Sequence, residues 1–345
     1  MGHQLFLRAR QEVKVFSVNS SGVALALCVV TMLGWGSWAN TIKLAGRRSW
    51  PFELYYWDYV LGMLFCSIAV AFTFGSHGEG GPAAVRSLTQ SSWASLGAAL
   101  LSGALFNCSN MLIVIATDLA GIVIAFPVAV GLALIIGTIG SYIQAPSGRP
   151  LPLFAGVLLI LAAMLLSAYA SRVFRSLKRT GDSRGILFAI ASGCLMGFFY
   201  PRLSASITPS SVSVSGTTGK LTPYAAAMVF SAGLVLSNFI INTVLLYVRK
   251  RSYREYFGGP FSIHFVGIAG GAVWMVALIA NLVASKVAGP AVSYALGQGA
   301  TLVAAIWGIF IWKEFRGATG GVNAALSLMF LSYAGGLFLV GLAAF

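Results

Sequence analysis

Arg172-Val173-Phe174-Arg175-Ser176-Leu177-Lys178-Arg179-Thr180-Gly181-Asp182-Ser183-Arg184 lies between two apolar runs, 150–171 and 185–205. Each run is long enough to cross a bilayer core, which takes ~20 mostly apolar residues. Five basic side chains against one acid, held between two such runs, is the composition of a connection retained in the cytoplasm. Eight further runs repeat the pattern on either side: 22–44, 54–75, 94–116, 119–143, 223–248, 262–284, 288–312 and 321–344. Of the nine connections between these ten runs, the first, fifth, seventh and ninth are basic. They hold Arg47 and Arg48, then the quoted stretch, then Arg249, Lys250, Arg251 and Arg254, then Lys313 and Arg316. The even-numbered connections carry one base each: Arg86, Arg149, Lys220 and Lys286. Thirteen against four places the odd connections in the cytoplasm and both termini outside a cell membrane. The tail 1–21, with Arg8, Arg10 and Lys14 against Glu12, is the one stretch that argues the other way.

Composition agrees. Apolar residues make up 58% of the 345, charged residues 9%, and the mean hydropathy is +0.87; a soluble domain carries about 25% charged residues. A net charge of +14 would point to nucleic acid in a soluble chain. Beside hydrophobic spans it reads as a topology signal with attraction to anionic lipid, so the bilayer is the expected partner and nucleic acid is not. Cys28, Cys66, Cys108 and Cys194 all fall inside apolar runs, lack C-x-x-C spacing and read as packing. There is no H-E-x-x-H, P-loop or G-x-S-x-G, and His3, His77 and His264 lie outside the spans or near their ends. An enzyme is not expected, nor a cofactor or a bound metal.

The ten runs divide in two. Residues 103–139 overlay 271–307 at an offset of 168, matching Gly103 with Gly271, Ala116 with Ala284, Gly121 with Gly289, Phe126 with Tyr294 and Gly131 with Gly299. The expected fold is an all-α membrane protein of ten transmembrane helices in two inverted five-helix repeats. The first repeat is 22–171, the connection 172–184, and the second repeat 185–345. Five is odd, so the halves enter the membrane oppositely, an arrangement found in secondary transporters that bind solute near the midplane. The polar link 206–222 reads as a flexible connection without chemistry.

Ionisable residues inside spans are few. A carboxylate buried in a membrane is expensive and marks function by default, which singles out Asp58 as a coupling group or a partner of Arg47 or Arg48. Glu53 and Asp118 read as acids capping helix starts, and Lys43, Arg202 and Lys286 as side chains reaching the interface. Amides are the richer signal, because an unpaired amide in hydrocarbon must find protein, water or ligand. Asn107 and Asn110 follow Gly103 on one face, and Asn238 and Asn242 share another. Asn281 lies two turns from Trp274, and Tyr294, Gln298 and Thr301 form one stripe. Trp35 and Trp38 lie too deep for an interface belt, and Trp38 offers a ring for a flat solute to stack on. Pro127 is expected to kink its helix, and Gly137 and Ser141 to pack as a small-xxx-small pair.

Several of these residues fall into an order that resembles the ureide permease family of the drug/metabolite transporter superfamily. They are Trp35-Gly36-x-Trp38, Arg47-Arg48, Trp57-Asp58-Tyr59 leading to Ala71-Phe72-Thr73-Phe74-Gly75, and Asn110 with Gly121 and Ile136-Gly137-Thr138. Ile241-Asn242-x-x-Leu245-Leu246-Tyr247 follows, then Gln298 with Trp307-Gly308-Ile309 and Glu314. The spacing of Asn110 to Gly121 and the Ile-Asn pair are also similar to the rhamnose–proton symporter and to glucose and ribose porters. The chain departs from the family at Ala125-Phe126-Pro127, where an acid-bearing stretch is usual, and in its short central connection. The resemblance implies the drug/metabolite transporter fold and proton-coupled import of a ureide or nucleobase, and the sugar relatives imply a monosaccharide. The expectation is therefore a secondary transporter for a small neutral polar solute, with protons as a possible second partner. Trp38, Asn110, Trp274, Asn281, Tyr294 and Gln298 would bind the solute and Asp58 would carry the coupling proton. The rivals are a monosaccharide-specific symporter, a drug exporter and a membrane scaffold that transports nothing.

Overall fold

A computed structural model describes residues 16, 18–76, 83–174, 182–208 and 219–345. Arg8, Arg10, Glu12 and Lys14 of the tail, His3, His77, Arg175, Lys178 and Arg179, and 209–218 of the polar link lie outside the described residues. Among the described residues ten helices are long and apolar enough to cross a membrane: α1 Ser21–Gly46, α2 Phe52–Phe72, α3 Trp93–Ala120, α4 Ile122–Gln144, α5 Pro150–Phe174, α6 Ser183–Ala205, α7 Pro223–Val248, α8 Phe261–Ala288, α9 Pro290–Ile311 and α10 Gly320–Leu342. Each falls on one of the ten apolar runs. Among the described residues the only strand-like pairing is a single bridge, Ile207 with Leu221.

Local chemistry sets the ends. Pro223 and Pro290 open α7 and α9, where a missing N–H costs nothing. The hydroxyl oxygens of Ser92 and Thr222 accept from Ser95 N and Ala225 N at 3.2 and 3.3 Å, capping α3 and α7. The hairpins α3–α4 and α8–α9 turn on one residue each. Gly121 has φ 79° and ψ 150°, and Gly289 has φ 84° and ψ 150°; a side chain would strain at both. The turns are tighter than the links expected at 116–119 and 284–288, because α3 runs on to Ala120. Asp118 therefore stands in the last turn of α3 and caps no helix start; instead it ion-pairs with Arg249. Pro127 lies inside α4 without ending it.

The helices pack in a definite scheme. α3 lies along α6 and α7, α8 along α1 and α2, α4 along α6 and α9, α1 along α9, and α2 against α7, while α5 and α10 pair with each other. Glycines allow the closest crossings, as expected where helices associate through backbone proximity. A Cβ at Gly62 would strike Ile268 O and one at Gly271 would strike Tyr59 O, joining α2 to α8. A Cβ at Gly103 would strike Phe230 O and one at Gly233 would strike Leu100 O, joining α3 to α7.

The basic connections at Arg47, Arg249 and Lys313 gather at one end. Lys43 Nζ is 2.5 Å from Glu314 Oε1, and the Arg47 guanidinium stands 4.6 Å over the Trp312 ring. The Asp118–Arg249 pair closes the same end. At the opposite end Phe16 N donates to Phe74 O at 3.1 Å, Ser92 N to Gly219 O at 2.8 Å, and Arg149 N to Ala343 O at 3.0 Å. Residues 16 and 343 are thus both at the end away from the basic connections.

Candidate functional site

Asp58 is 1% exposed, one and a half turns into α2. It pairs with neither Arg47 nor Arg48; Arg48 donates instead to Ser262 Oγ at 3.0 Å. Its Oδ1 accepts from Tyr256 Oη at 2.6 Å and from His264 Nδ1 at 2.9 Å, while Oδ2 is buried with no partner among the described residues. Tyr256 belongs to a short helix, Tyr253–Phe257, in the α7–α8 connection, and His264 to the first turn of α8. Gly267, one turn after His264, lets the Asp58 side chain lie against α8. Burial, and then the carboxylate it donates to, push the Tyr256 phenol above the ordinary tyrosine range, so it stays protonated and donates. Sequence reasoning set His264 aside as a span-end histidine. The missing signal was spatial: Tyr256 and His264 are eight residues apart and close on a carboxylate some two hundred residues earlier.

A second constellation lies deeper. The Trp274 ring stacks on Trp35 at 5.6 Å between centroids, lies 4.4 Å from Phe106 and 6.0 Å from Phe230. Asn281, one face further along α8, is fully buried. Its Nδ2 donates to Ser293 O at 2.8 Å and its Oδ1 accepts from Tyr200 Oη of α6. The Tyr200 ring lies 4.6 Å from Tyr294, whose hydroxyl donates to Ala133 O of α4 at 3.2 Å. Gly297 joins the two groups, since a Cβ there would stand 2.8 Å from the Trp35 ring and 3.2 Å from Asn281 Nδ2. Trp274, Asn281 and Tyr294 therefore belong to one network, completed by Trp35, Tyr200 and Ser293. Tyr200 drew no notice in sequence because Phe198-Phe199-Tyr200-Pro201 reads as ordinary apolar filling.

The remaining candidates stand around this network. Asn110 is buried, and its Nδ2 donates to Phe106 O on its own helix at 2.9 Å. Trp38 is half-buried with its ring 4.8 Å from Tyr59. Gln298 is half-buried and follows Gly297; no side-chain hydrogen bond to it occurs among the described residues. Both Trp38 and Gln298 mark irregular points in their helices. Regular helix stops at Ser37 and resumes at Ala39 in α1, and stops at Gly297 and resumes at Ala300 in α9. Thr41 N bonds Trp38 O and Thr301 N bonds Gln298 O, three-residue closures in place of four. The polar stripe of α9 divides: Tyr294 faces α4, and Thr301 Oγ1 turns back to Gln298 O at 2.7 Å. The other amides are tied between helices. Asn107 Nδ2 donates to Ser237 Oγ at 2.9 Å and Asn242 Nδ2 to Glu53 O at 2.9 Å, whereas neither polar atom of buried Asn238 has a partner among the described residues. Among the described residues no group of three or more His, Cys, Asp or Glu side chains is placed to hold a metal ion.

No family model matches the chain. Curated relatives do. Ureide permease 1 of Arabidopsis thaliana is 21% identical over 92% of this chain and 96% of its own length. Ureide permease 2 of the same plant is 27% identical, over 46% of this chain and 41% of that protein. Probable ureide permease A3 of Vigna unguiculata is 27% identical over 43% of this chain and 41% of its own. A crystal structure of another protein superposes with a TM-score of 0.58 at 18% identity, covering 93% of this chain and 98% of its own; that likeness concerns the fold. Ten apolar helices among the described residues make this a multi-pass membrane protein. The chain spans less than half the length of ureide permease 2 while aligning with nearly all of ureide permease 1; these relatives are named permeases, not enzymes.

Proposed function

We propose that the chain is a secondary active transporter that imports a small neutral polar solute, a ureide or nucleobase, by alternating access in symport with protons. One observation carries the reading: α1, α4, α6, α8 and α9 converge on a buried network of aromatic rings and amides that includes no charged side chain. Such a network can stack a flat ring and answer its hydrogen-bonding edge, and it presents a charged solute with no opposite charge. Trp38 and Gln298, on irregular backbone in the two helices that border it, are the groups free to meet the solute; irregular helices at substrate sites recur in transporters. Trp274, Asn281, Tyr294 and Asn110 shape and position the rest, and Asp58 carries the coupling proton.

The inverted repeat of five helices is part of the proposal. Exchanging the halves turns α3 on α7 into α8 on α2, α3 on α6 into α8 on α1, and α4 on α6 into α9 on α1, and each of these is a packed pair. The same exchange turns Gly103 against Phe230 into Gly271 against Tyr59, and the turn at Gly121 into the turn at Gly289. On this reading the halves are 22–171 and 185–345, the basic connections face the cytoplasm, and both termini lie outside. The basic end is held shut between α1 and α9. Trp307 Nε1 donates to Ser37 Oγ at 2.9 Å, Trp312 Nε1 to Asn40 Oδ1 at 2.6 Å, and Lys43 pairs with Glu314.

The test is a thermal-shift screen of the purified protein with allantoin, uracil, rhamnose and glucose, followed by uptake in proteoliposomes. A ligand that binds only the folded state raises stability with concentration. A shift and saturable uptake with allantoin or uracil support the proposal. Sugars alone would establish the monosaccharide symporter, extrusion of lipophilic cations would establish an exporter, and silence throughout would leave the scaffold.

A further inference from the structure

We infer that Asp58 and His264 together form the proton site of this carrier, with His264 as its water-facing half and Tyr256 as the donor that fixes the carboxylate; this rests on the transporter reading above. The geometry supplies each part. The carboxylate is 1% exposed and the histidine side chain 18%, so the imidazole is the route between a buried acid and water. Both donors converge on one oxygen, Oδ1, at 2.6 and 2.9 Å, while Oδ2 is buried without a partner among the described residues. A buried carboxylate answered on one oxygen only is stable when its charge is balanced, either by an imidazolium beside it or by a proton of its own. The pair is neutral with one proton and gains a full charge with a second. That proton arrives from water at the imidazole and leaves to water; nothing is oxidised and no bond of the solute changes.

The site is also a clasp. One oxygen joins α2, the first turn of α8 and the short helix Tyr253–Phe257 at the basic end, and the Trp50 ring packs edge-on against His264 at 5.6 Å. Protonating Asp58 takes the anionic acceptor away from both hydrogen bonds and weakens them, which loosens the α7–α8 connection from α2. Of the other ionisable groups on the elements packed here, the Tyr56 and Tyr59 hydroxyls of α2 are buried without a hydrogen-bond partner among the described residues, and the following are paired. Tyr55 Oη is 2.6 Å from Thr41 Oγ1, Glu53 Oε1 is 3.8 Å from Arg251, Glu255 is 2.9 Å from Arg251, and Arg48 bonds Ser262.

The experiment uses the full-length protein as wild type, D58N, H264Q and Y256F. The infrared band of the protonated Asp58 carboxyl, assigned by its loss in D58N, is titrated in the purified protein. In H264Q its midpoint is displaced by about one pH unit or more, the effect of removing a charge partner within hydrogen-bond range; an unmoved midpoint overturns the proposal. Should H264Q not fold, H264N answers the same question by displacing or leaving the band, while Y256F, which removes a bond and no charge, tests only the donor that fixes the carboxylate. In proteoliposomes with radiolabelled allantoin, the ratio of pH-gradient-driven uptake to counterflow collapses in H264Q as in D58N. A ratio preserved in H264Q again refutes the pair. If the wild type moves no allantoin, the ureide reading fails by itself and the infrared titration still decides the proton site.

Discussion

At the scale of single residues, the structure separates side chains that hold the network from those that face it. Asn281 spends both amide atoms on protein, on Ser293 O and on the Tyr200 hydroxyl, whereas Gln298 spends neither within the described residues. Asn281→Ala is expected to lower stability by about 1–3 kcal/mol, because it strands buried groups. Gln298→Ala is expected to change stability by less than ~0.5 kcal/mol and yet to abolish the thermal shift given by the transported solute. Denaturation of both variants with and without allantoin checks the contrast, and equal loss of stability in the two would erase it. Backbone crossings give a second prediction. A Cβ at Gly271 lands on Tyr59 O, while one at Gly97 meets nothing within 4 Å. Gly271→Ala should cost about 1–3 kcal/mol and Gly97→Ala less than ~0.5 kcal/mol, read from melting temperatures in one detergent.

At the scale of elements, the helix ends at the basic side carry the next predictions. Ser49 follows α1 with φ 58°, a left-handed conformation in an exposed position. Ser49→Gly removes the Cβ penalty and should stabilise the protein by about 0.5–1 kcal/mol. Trp312 closes α1 on α9 through Asn40 and beneath Lys43 and Arg47. Trp312→Ala should therefore raise the rate at which an impermeant thiol reagent, applied from the basic side, labels a cysteine placed at Thr41 in a background without the four native cysteines. An unchanged rate would mean that closure at this end rests elsewhere. Ten apolar runs were legible as ten helices because a spanning segment must satisfy its own backbone bonds and needs a fixed length to do so. The irregular points at Trp38 and Gln298 had only a local signal, the glycines Gly34, Gly36, Gly297 and Gly299 beside them, and glycine inside a span serves close packing as readily as a break.

At the scale of the whole molecule, orientation is the quantity to measure. A cysteine at Ser147, between α4 and α5, should be labelled from outside the cell, and one at Ser252, between α7 and α8, only after the cytoplasmic side is opened; the reverse would invert the assignment. The amino-acid sequence by itself determined the class, the number of spans and the side on which charge collects, because hydrophobic length and Lys/Arg placement are properties of a chain read one segment at a time. It also marked Trp274, Asn281, Tyr294 and Asp58, since polar or flat groups in apolar runs stand out without knowledge of their neighbours. Only the tertiary structure decided who those neighbours are. Tyr200 completes the bonds of Asn281, and Tyr256 and His264 complete those of Asp58. Asp118 proved to end a helix and meet Arg249. A hydrogen bond between helices depends on crossing points set by glycines on four spans at once, and no one segment contains that information.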